Sequence, residues 1–396
     1  MSSDEGKRLI EPLTQRERDI LLLLAQGKSN REMAEALVLS VHTVKWYNRQ
    51  VFGKLGVANR EEAGARARAL GLVTDEKQGE RRAKNLAPTT PLIGREAELR
   101  ELKEIILHSS SRLVSIVGPG GIGKTHLAME ATQEMASCFA GGAAFAGLAP
   151  LETWEGIVPA LAQALDFKPV ADPGERRSER QQLLDYLQDK ELLLLLDNFE
   201  HLLDGAPLLV EILAASPRSK LLVTSRERLK LQAERVYPIR GLAFSRWTTV
   251  DEARRDPAVR LFVQRGQQVR AGFALRAGHL GSLQRILQSV QGMPLAIILA
   301  AAWLDVFRPV EIAAELERSL DFLEAGFQDL PPRQRSMRAV FDSTWARLSE
   351  RDRALFAALS VFRGGFSVAA VMTVAGAEPR DLRRLVGRSL LEHSEG

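Results

Sequence analysis

A chain of 396 residues with 45% hydrophobic content is too long for one ordinary core and carries enough apolar material for several packed domains. A formal charge of +4 is too small an excess to name a polyanionic partner, and the lone Cys138 excludes an intramolecular disulfide or a cysteine-rich zinc site, as expected of a cytoplasmic chain. The six histidines show no ligand spacing, the first residues lack the apolar core of a signal peptide, and the apolar runs at 192–196 and 294–303 fall short of the ~20 residues that span a bilayer, so no membrane partner is expected.

From Thr14 to Leu70 the sequence is free of proline and reads as four helices near 15–26, 30–37, 41–55 and 60–70. Ser29 with Glu32 and Asn59 with Glu62 are capping pairs that start two of them, while Gly27 and the Leu39-Ser40 turn punctuate the pattern. With Val44 at the centre of the buried face of the third helix, a step of about 100° per residue brings Tyr47, Asn48, Val51 and Leu55 near it. His42, Lys45, Trp46, Arg49 and Gln50 then occupy the opposite face. Such a surface can enter a major groove, with Lys45 and Arg49 meeting phosphates or guanine edges. The competing reading is an ordinary solvated face, and an exposed Trp46 counts against it.

Residues 73–90 are polar and charged and end in a proline-stiffened stretch, Ala87-Pro88-Thr89-Thr90-Pro91, the signature of a linker. Arg81, Arg82 and Lys84 read as part of it rather than as phosphate contacts. Candidate strands follow at 112–117, 143–148, 192–197, 220–224 and 236–239, alternating with amphipathic helices, which predicts an α/β domain with a parallel sheet. Beyond Gly241 helices dominate, and Pro331-Pro332 marks a further boundary. The expected organisation is a DNA-reading module at 1–72, a linker at 73–90, a nucleotide-binding domain at 91–240, a helical domain at 241–330 and a last domain at 331–396.

Gly118-Pro119-Gly120-Gly121-Ile122-Gly123-Lys124-Thr125 has the spacing of a phosphate loop, between a strand ending at Val117 and a helix running from His126. Glycines let successive backbone N–H groups curl around phosphates, and the helix points its positive end at them. Lys124 is expected at the β- and γ-phosphates and Thr125 on Mg²⁺. Asp197, at the end of the run 192–197, is the matching carboxylate for the magnesium or its water shell. The next residue is Asn198, so the position of a water-activating acid is neutral. Glu200 is then the candidate catalytic base, or else a structural residue beside a slow site. Arg226, closing 220–226, is a candidate γ-phosphate sensor, against the plainer reading of a surface arginine at a strand end.

Ile93-Gly94-Arg95-Glu96, the phosphate loop, Leu196-Asp197-Asn198-Phe199-Glu200-His201, Thr224-Ser225-Arg226 and Gly292-Met293-Pro294-Leu295-Ala296 together resemble the NB-ARC-like core of STAND signalling ATPases. The resemblance implies ATP/ADP as ligand, Ile93 and Arg95 bordering the nucleotide, and Pro294 against adenine. Residues 342–345 and 359–366 are similar to that family's winged-helix domain. The chain ends where the wing and a phosphate-contacting histidine motif would come, His393 is not in that motif's context, and the winged helix is expected to be incomplete. Residues 13–18, 27–34, 40–45 and 54–57 resemble a LuxR-type helix-turn-helix. By that resemblance Lys45, Trp46 and Arg49 face the groove, Thr43 and Lys54 serve the DNA backbone, and the last helix pairs two copies on a palindromic operator. The fold class implied is multidomain α and α/β: an all-α helix-turn-helix, a P-loop NTPase parallel sheet, a helical domain and a partial winged helix. The function implied is an ATP/ADP-switched transcriptional regulator with a closed ADP state, opened by ATP and an unknown inducer to self-associate on double-stranded DNA. The alternatives are an ATP-hydrolysing remodeller tethered to DNA, and a helix-turn-helix used for protein docking.

Overall fold

The computed structural model describes residues 13–25, 28–37, 39–69, 91–170, 177–324, 335–362 and 365–392. Gly27, the linker at 73–90 with its Arg81, Arg82 and Lys84, the Pro331-Pro332 boundary and His393 lie outside the described residues.

Four helices come first: α1 (Gln15–Ala25), α2 (Asn30–Leu37), α3 (Val41–Leu55) and α4 (Arg60–Ala69). Their starts follow from local polar chemistry. Ser29 N–H donates to Glu32 Oε2 (2.7 Å) while Glu32 N–H donates to Ser29 Oγ (3.3 Å), and Glu62 N–H donates to Asn59 Oδ1 (2.9 Å). Gly56 ends α3 at a φ of 66°, a left-handed cap that glycine adopts without penalty. Ile20, Leu21, Met33, Val44, Val51 and Ala63 are buried together as the centre of this small core.

A parallel five-stranded sheet in the order β2-β3-β4-β1-β5 follows, from β1 (Leu113–Val117), β2 (Ala143–Gly147), β3 (Leu193–Asp197), β4 (Lys220–Ser225) and β5 (Glu234–Pro238). Alternate residues of each strand enter different cores. Leu194, Leu196, Leu221 and Val223 pack with α7 (Ile157–Ala164), α8 (Glu179–Leu187) and α9 (Ala206–Ala215). Leu193, Leu195, Leu222, Val114 and Ile116 face α5 (Glu96–His108) and α6 (Lys124–Met135). Burial on both faces is why these strands read as continuous apolar runs rather than alternating ones. The order places β1 beside β4, with Val117 opposite Ser225, and β3 on the other side of β4. The carboxyl ends of β1, β3 and β4 therefore deliver the glycine loop, Asp197 and Arg226 to one edge of the sheet.

Helices α10 (Val250–Arg255), α11 (Pro257–Val269), α12 (Leu280–Ser289), α13 (Pro294–Ala302) and α14 (Pro309–Arg318) share a further core around Phe262, Leu283, Ile297 and Leu304. The last described helices are α15 (Met337–Trp345), α16 (Glu350–Leu359), α17 (Val368–Ala375) and α18 (Pro379–Gly387). Among the described residues they carry no strand beyond β5 apart from an isolated bridge between Glu324 and Ser336. Among the described residues no helix is long and apolar enough to cross a membrane.

Gly292 ties the helical segment to the end of the sheet domain. It has a φ of +66°, its carbonyl accepts from Leu242 N–H (2.7 Å), and an added Cβ would lie 2.1 Å from Leu242 O. Gly292→Ala is expected to destabilise the protein by at least about 2 kcal/mol through backbone strain and steric clash. Gly281→Ala, where nothing lies within 4 Å, should stay within about 1 kcal/mol of the parent. Urea unfolding of both variants checks the pair.

Candidate functional site

Local backbone chemistry builds the phosphate loop. Gly121 and Gly123 have φ of 77° and 95°, conformations that L side chains rarely adopt, and α6 begins at Lys124, directing its first N–H groups back at the loop. Lys124 Nζ donates to the loop carbonyls of Gly118 (2.8 Å) and Pro119 (3.0 Å). The residue is half-buried, but its ammonium is enclosed against the loop. Burial pushes its pKa down to about 8, opposed by Glu200 and Asp197 and reinforced by Arg226. Thr125 Oγ1 donates to Asp197 Oδ1 at 2.7 Å, and Thr224 Oγ1 donates to the same oxygen at 2.6 Å. Burial raises the Asp197 pKa, and these two hydroxyls pull it the other way. A hydroxyl and a desolvated carboxylate this close fit Mg²⁺, which takes few protein ligands and completes its shell with water and phosphate oxygens. Asn198 sits at a φ of 68° and its N–H donates to Thr224 Oγ1 (2.9 Å), so a left-handed turn that asparagine tolerates explains the residue after Asp197.

Glu200 and Arg226 are tied to each other and to the last helices. Glu200 Oε1 lies 3.0 Å from Arg226 Nε and 3.6 Å from an Arg347 Nη1, with the Glu200 side chain only 3% exposed. One oxygen of this carboxylate faces two arginines, and the side chain is enclosed, so it is not presented to an attacking water. Its Oε2 is buried with no hydrogen-bond partner. Arg226 reaches away from the strand to α15, where Nη1 donates to Ser343 Oγ (2.8 Å) and Thr344 Oγ1 (2.6 Å). Ser389 Oγ donates to Arg226 O (2.8 Å), and Arg228 N–H donates to Gly387 O (3.2 Å). The turn after β4 is thus the joint between the sheet and the last helices. Ser343 and Thr344 lie in the stretch 342–345 singled out in the sequence, but their contact with Arg226 was not anticipated, and Arg347 was not singled out.

Beside the loop lies a cleft of about 550 Å³, open solvent included, lined by Ile93, Arg95, Gly123, His126 and Pro294 together with Pro91, Leu92, Leu242, Leu261, Gln264, Arg265, Gln268 and Ile298. Five residues singled out in the sequence therefore meet in one cavity. Arg95 is buried and donates to Ile122 O (3.2 Å), Arg240 O and Glu98 Oε1, so it fastens the cavity's floor to the loop. Gly94 lets α11 approach: a Cβ there would lie 2.2 Å from Pro257 Cβ. From the other side, Leu295 N–H donates to Gly121 O (3.1 Å), seating Pro294 at the mouth of the loop. The stripe Leu261, Gln264, Arg265 and Gln268 on α11 was not anticipated, although its helical spacing is present in the sequence.

In the helical module, α3 buries Val44, Asn48, Val51 and Leu55, half-buries Tyr47 and exposes His42, Lys45, Trp46, Arg49 and Gln50, with Trp46 51% exposed. Asn48 Nδ2 donates to Asn30 Oδ1 (2.9 Å), locking α3 against α2. Thr43 is part of the helix cap, its N–H donating to Ser40 Oγ (3.1 Å). Lys54 departs from its expected place at the DNA backbone. Its Nζ donates to Glu17 Oε2 (2.8 Å), and the side chain is only 17% exposed. Glu17 also accepts from Thr14 N–H (2.7 Å), so one carboxylate joins the start of α1 to the end of α3.

Residues 11–67 match the family model described as bacterial regulatory proteins, luxR family, and residues 95–234 match the NB-ARC domain model. The Mycobacterium tuberculosis protein named "Putative HTH-type transcriptional regulator Rv0890c" is 36% identical over 293 residues, covering 72% of this chain and 31% of its own length, so the chain spans about a third of that relative. "Uncharacterized protein Rv0894" of the same organism is 32% identical over 293 residues, covering 74% of this chain and 70% of its own. A STAND protein with a tetratricopeptide repeat sensor from Pyrococcus horikoshii is similar in structure at 16% identity and a TM-score of 0.37, over 78% of this chain and 40% of that one.

A phosphate ligand binds the charged form of Lys124, and burial has lowered its pKa to about 8. Below pH 8 the ammonium is present before binding; above it, binding has to take up a proton. The affinity for a polyphosphate is therefore expected to be flat below about pH 7.5 and to fall toward tenfold per pH unit above about pH 8.5. Calorimetry in buffers of different ionisation enthalpy should register proton uptake only in the upper range.

Proposed function

The chain belongs to the family that joins a LuxR-type helix-turn-helix to an NB-ARC P-loop ATPase core, and from that premise we propose that it is an ATP/ADP-switched, DNA-binding transcriptional regulator. The observation that carries this reading is the double engagement of Arg226, with Glu200 in the nucleotide cleft and with Ser343 and Thr344 on α15. In the cradle of Gly118, Pro119, Gly120, Gly121, Ile122 and Gly123, every residue but Pro119 offers a backbone N–H group to phosphates. Lys124 holds the β- and γ-positions, Thr125 and Asp197 hold Mg²⁺, and His126 follows on the same helix end. Ile93, Arg95 and Pro294 surround the base, which family resemblance assigns as adenine. Bound ATP with Mg²⁺ supplies one feature that ADP lacks, the γ-phosphate charge.

Arg226 can satisfy its guanidinium either on α15 or on that charge. A nucleotide shifts an equilibrium only by binding the two forms differently, and this arginine gives the difference a physical source. In the ADP form Arg226 holds α15 and the protein is closed. With ATP and an inducer of unknown chemistry the contact is exchanged, the last helices swing free and copies associate. Lys45, Trp46 and Arg49 of two modules then meet a palindromic operator in double-stranded DNA. Glu200 acts here as the partner of Arg226 rather than as a base, so turnover is slow at most, which favours a switch over a remodelling enzyme.

Acid-denatured wild-type protein is expected to release about one ADP per chain, and Lys124→Ala none, as read by chromatography of the supernatant. A folded protein that carries no nucleotide and binds neither ADP nor an ATP analogue would overturn the reading. For the DNA face, Lys45→Ala with Arg49→Ala should lower the slope of log affinity against log salt by about 2. A slope unchanged in anisotropy titrations would remove α3 from the groove.

A further inference from the structure

The cleft beside the phosphate loop has a polar wall that the nucleotide-binding reading does not use. On α11, residues 261, 264, 265 and 268 fall on one stripe of the helix and line that cleft. The stripe begins as a core face is expected to, with Leu261 6% exposed. It then turns polar with Gln264, Arg265 and Gln268, which building a core does not require. Arg265 is the informative member. Its Nη1 donates to Gln268 Oε1 (2.8 Å), while its Nε is buried with no hydrogen-bond partner. Buried guanidinium N–H groups ordinarily find an acceptor, so an unmet donor on a cavity-lining arginine points to a ligand that brings one. The same cleft is also lined by the apolar Ile93, Pro294 and Ile298, which suit the faces of a flat heteroaromatic ring and leave its edge for polar groups such as those of α11.

We propose that Gln264, Arg265 and Gln268 read the edge of the nucleotide base and make the site selective for adenine; the proposal rests on the nucleotide-binding reading and deepens it. Arg265 has donors only, and a glutamine amide beside it supplies both a carbonyl and an NH₂. A donor next to an acceptor matches adenine, whose ring nitrogen accepts while the neighbouring exocyclic amine donates. Hypoxanthine and guanine carry a carbonyl oxygen at that exocyclic position and offer no donor there for the carbonyl of Gln264. The phosphates are assigned to Lys124 and the glycine loop, so the α11 side chains are left for the base.

The test measures binding of ADP, inosine diphosphate and inorganic pyrophosphate, each with Mg²⁺, to the full chain by competition calorimetry. Wild type is expected to prefer ADP over inosine diphosphate. Arg265→Met, which keeps the apolar stem, is expected to lose about tenfold in ADP affinity and nothing in pyrophosphate affinity. Gln264→Leu is expected to narrow the preference for ADP over inosine diphosphate, and it keeps the test decisive if Arg265→Met fails to fold. Wild-type-like ADP binding in both variants, or equal losses for ADP and pyrophosphate in both, overturns the assignment of the wall while leaving the nucleotide site standing. Wild-type protein that binds pyrophosphate and no diphosphate nucleotide overturns both.

Discussion

Arg226 stands where three parts of the chain meet. It closes β4, its Nε faces a Glu200 carboxylate that is almost fully enclosed, and its Nη1 is spent on two hydroxyls of α15. Removing one member of such a buried pair leaves an uncompensated charge and costs on the order of 3–5 kcal/mol. The last helices complete the arrangement with two neutral hydroxyls on Arg226 and with Arg347 beside Glu200. Glu227 and Arg228 extend the same joint. Arg388 Nε lies 3.5 Å from Glu227 Oε2 and its Nη1 3.3 Å from Asp352 Oδ2, so charges from α16 and the end of α18 converge on the turn after β4.

A second constraint acts on the other side of the loop. The α13 N-terminus touches the phosphate loop through the Leu295 N–H, and a Cβ on Gly121 would meet Leu295 Cβ at 2.9 Å. A Cβ on Gly120 would lie 2.8 Å from Val340 Cγ1 on α15. Glycine at these positions thus serves two ends: it frees the backbone for phosphates and admits the helical segments to close contact with the loop. Packed interfaces of this kind tend to switch between discrete arrangements rather than deform gradually, because a shift of even a methyl group is felt.

What could be read from the sequence divides along the distance over which the physics acts. Helix bounds at 30–37 and 41–55 agree with those observed, since capping pairs and periodicity are settled within a few residues. The strands were recognisable as apolar runs, with ends shifted by one or two positions; β5 begins at Glu234 rather than near 236, where pairing with β1 rather than hydropathy sets its start. The meeting of the glycine loop with Thr125 and Asp197 was legible because a motif carries it. The ion pair of Lys54 was not foreseen because its partner, Glu17, is 37 residues away, nor were the α15 contacts of Arg226, because Ser343 and Thr344 are 117 and 118 residues away. The polar stripe on α11 was present as a pattern, but only the fold shows which cavity it lines.

The central claim is that α15 and the γ-phosphate compete for Arg226. Ser343→Ala with Thr344→Val removes the two hydroxyl acceptors of α15, leaving the long contact to Val340 O (3.5 Å) and the Glu200 ion pair, and charge-assisted hydrogen bonds of this kind are worth roughly 1.5–3 kcal/mol each. The direct measurement is the ratio of affinities for Mg²⁺-loaded ATPγS and ADP in the parent and the double variant. The account predicts a ratio moved toward the triphosphate by at least about tenfold, with ADP affinity little changed. A ratio the same in both proteins would contradict it.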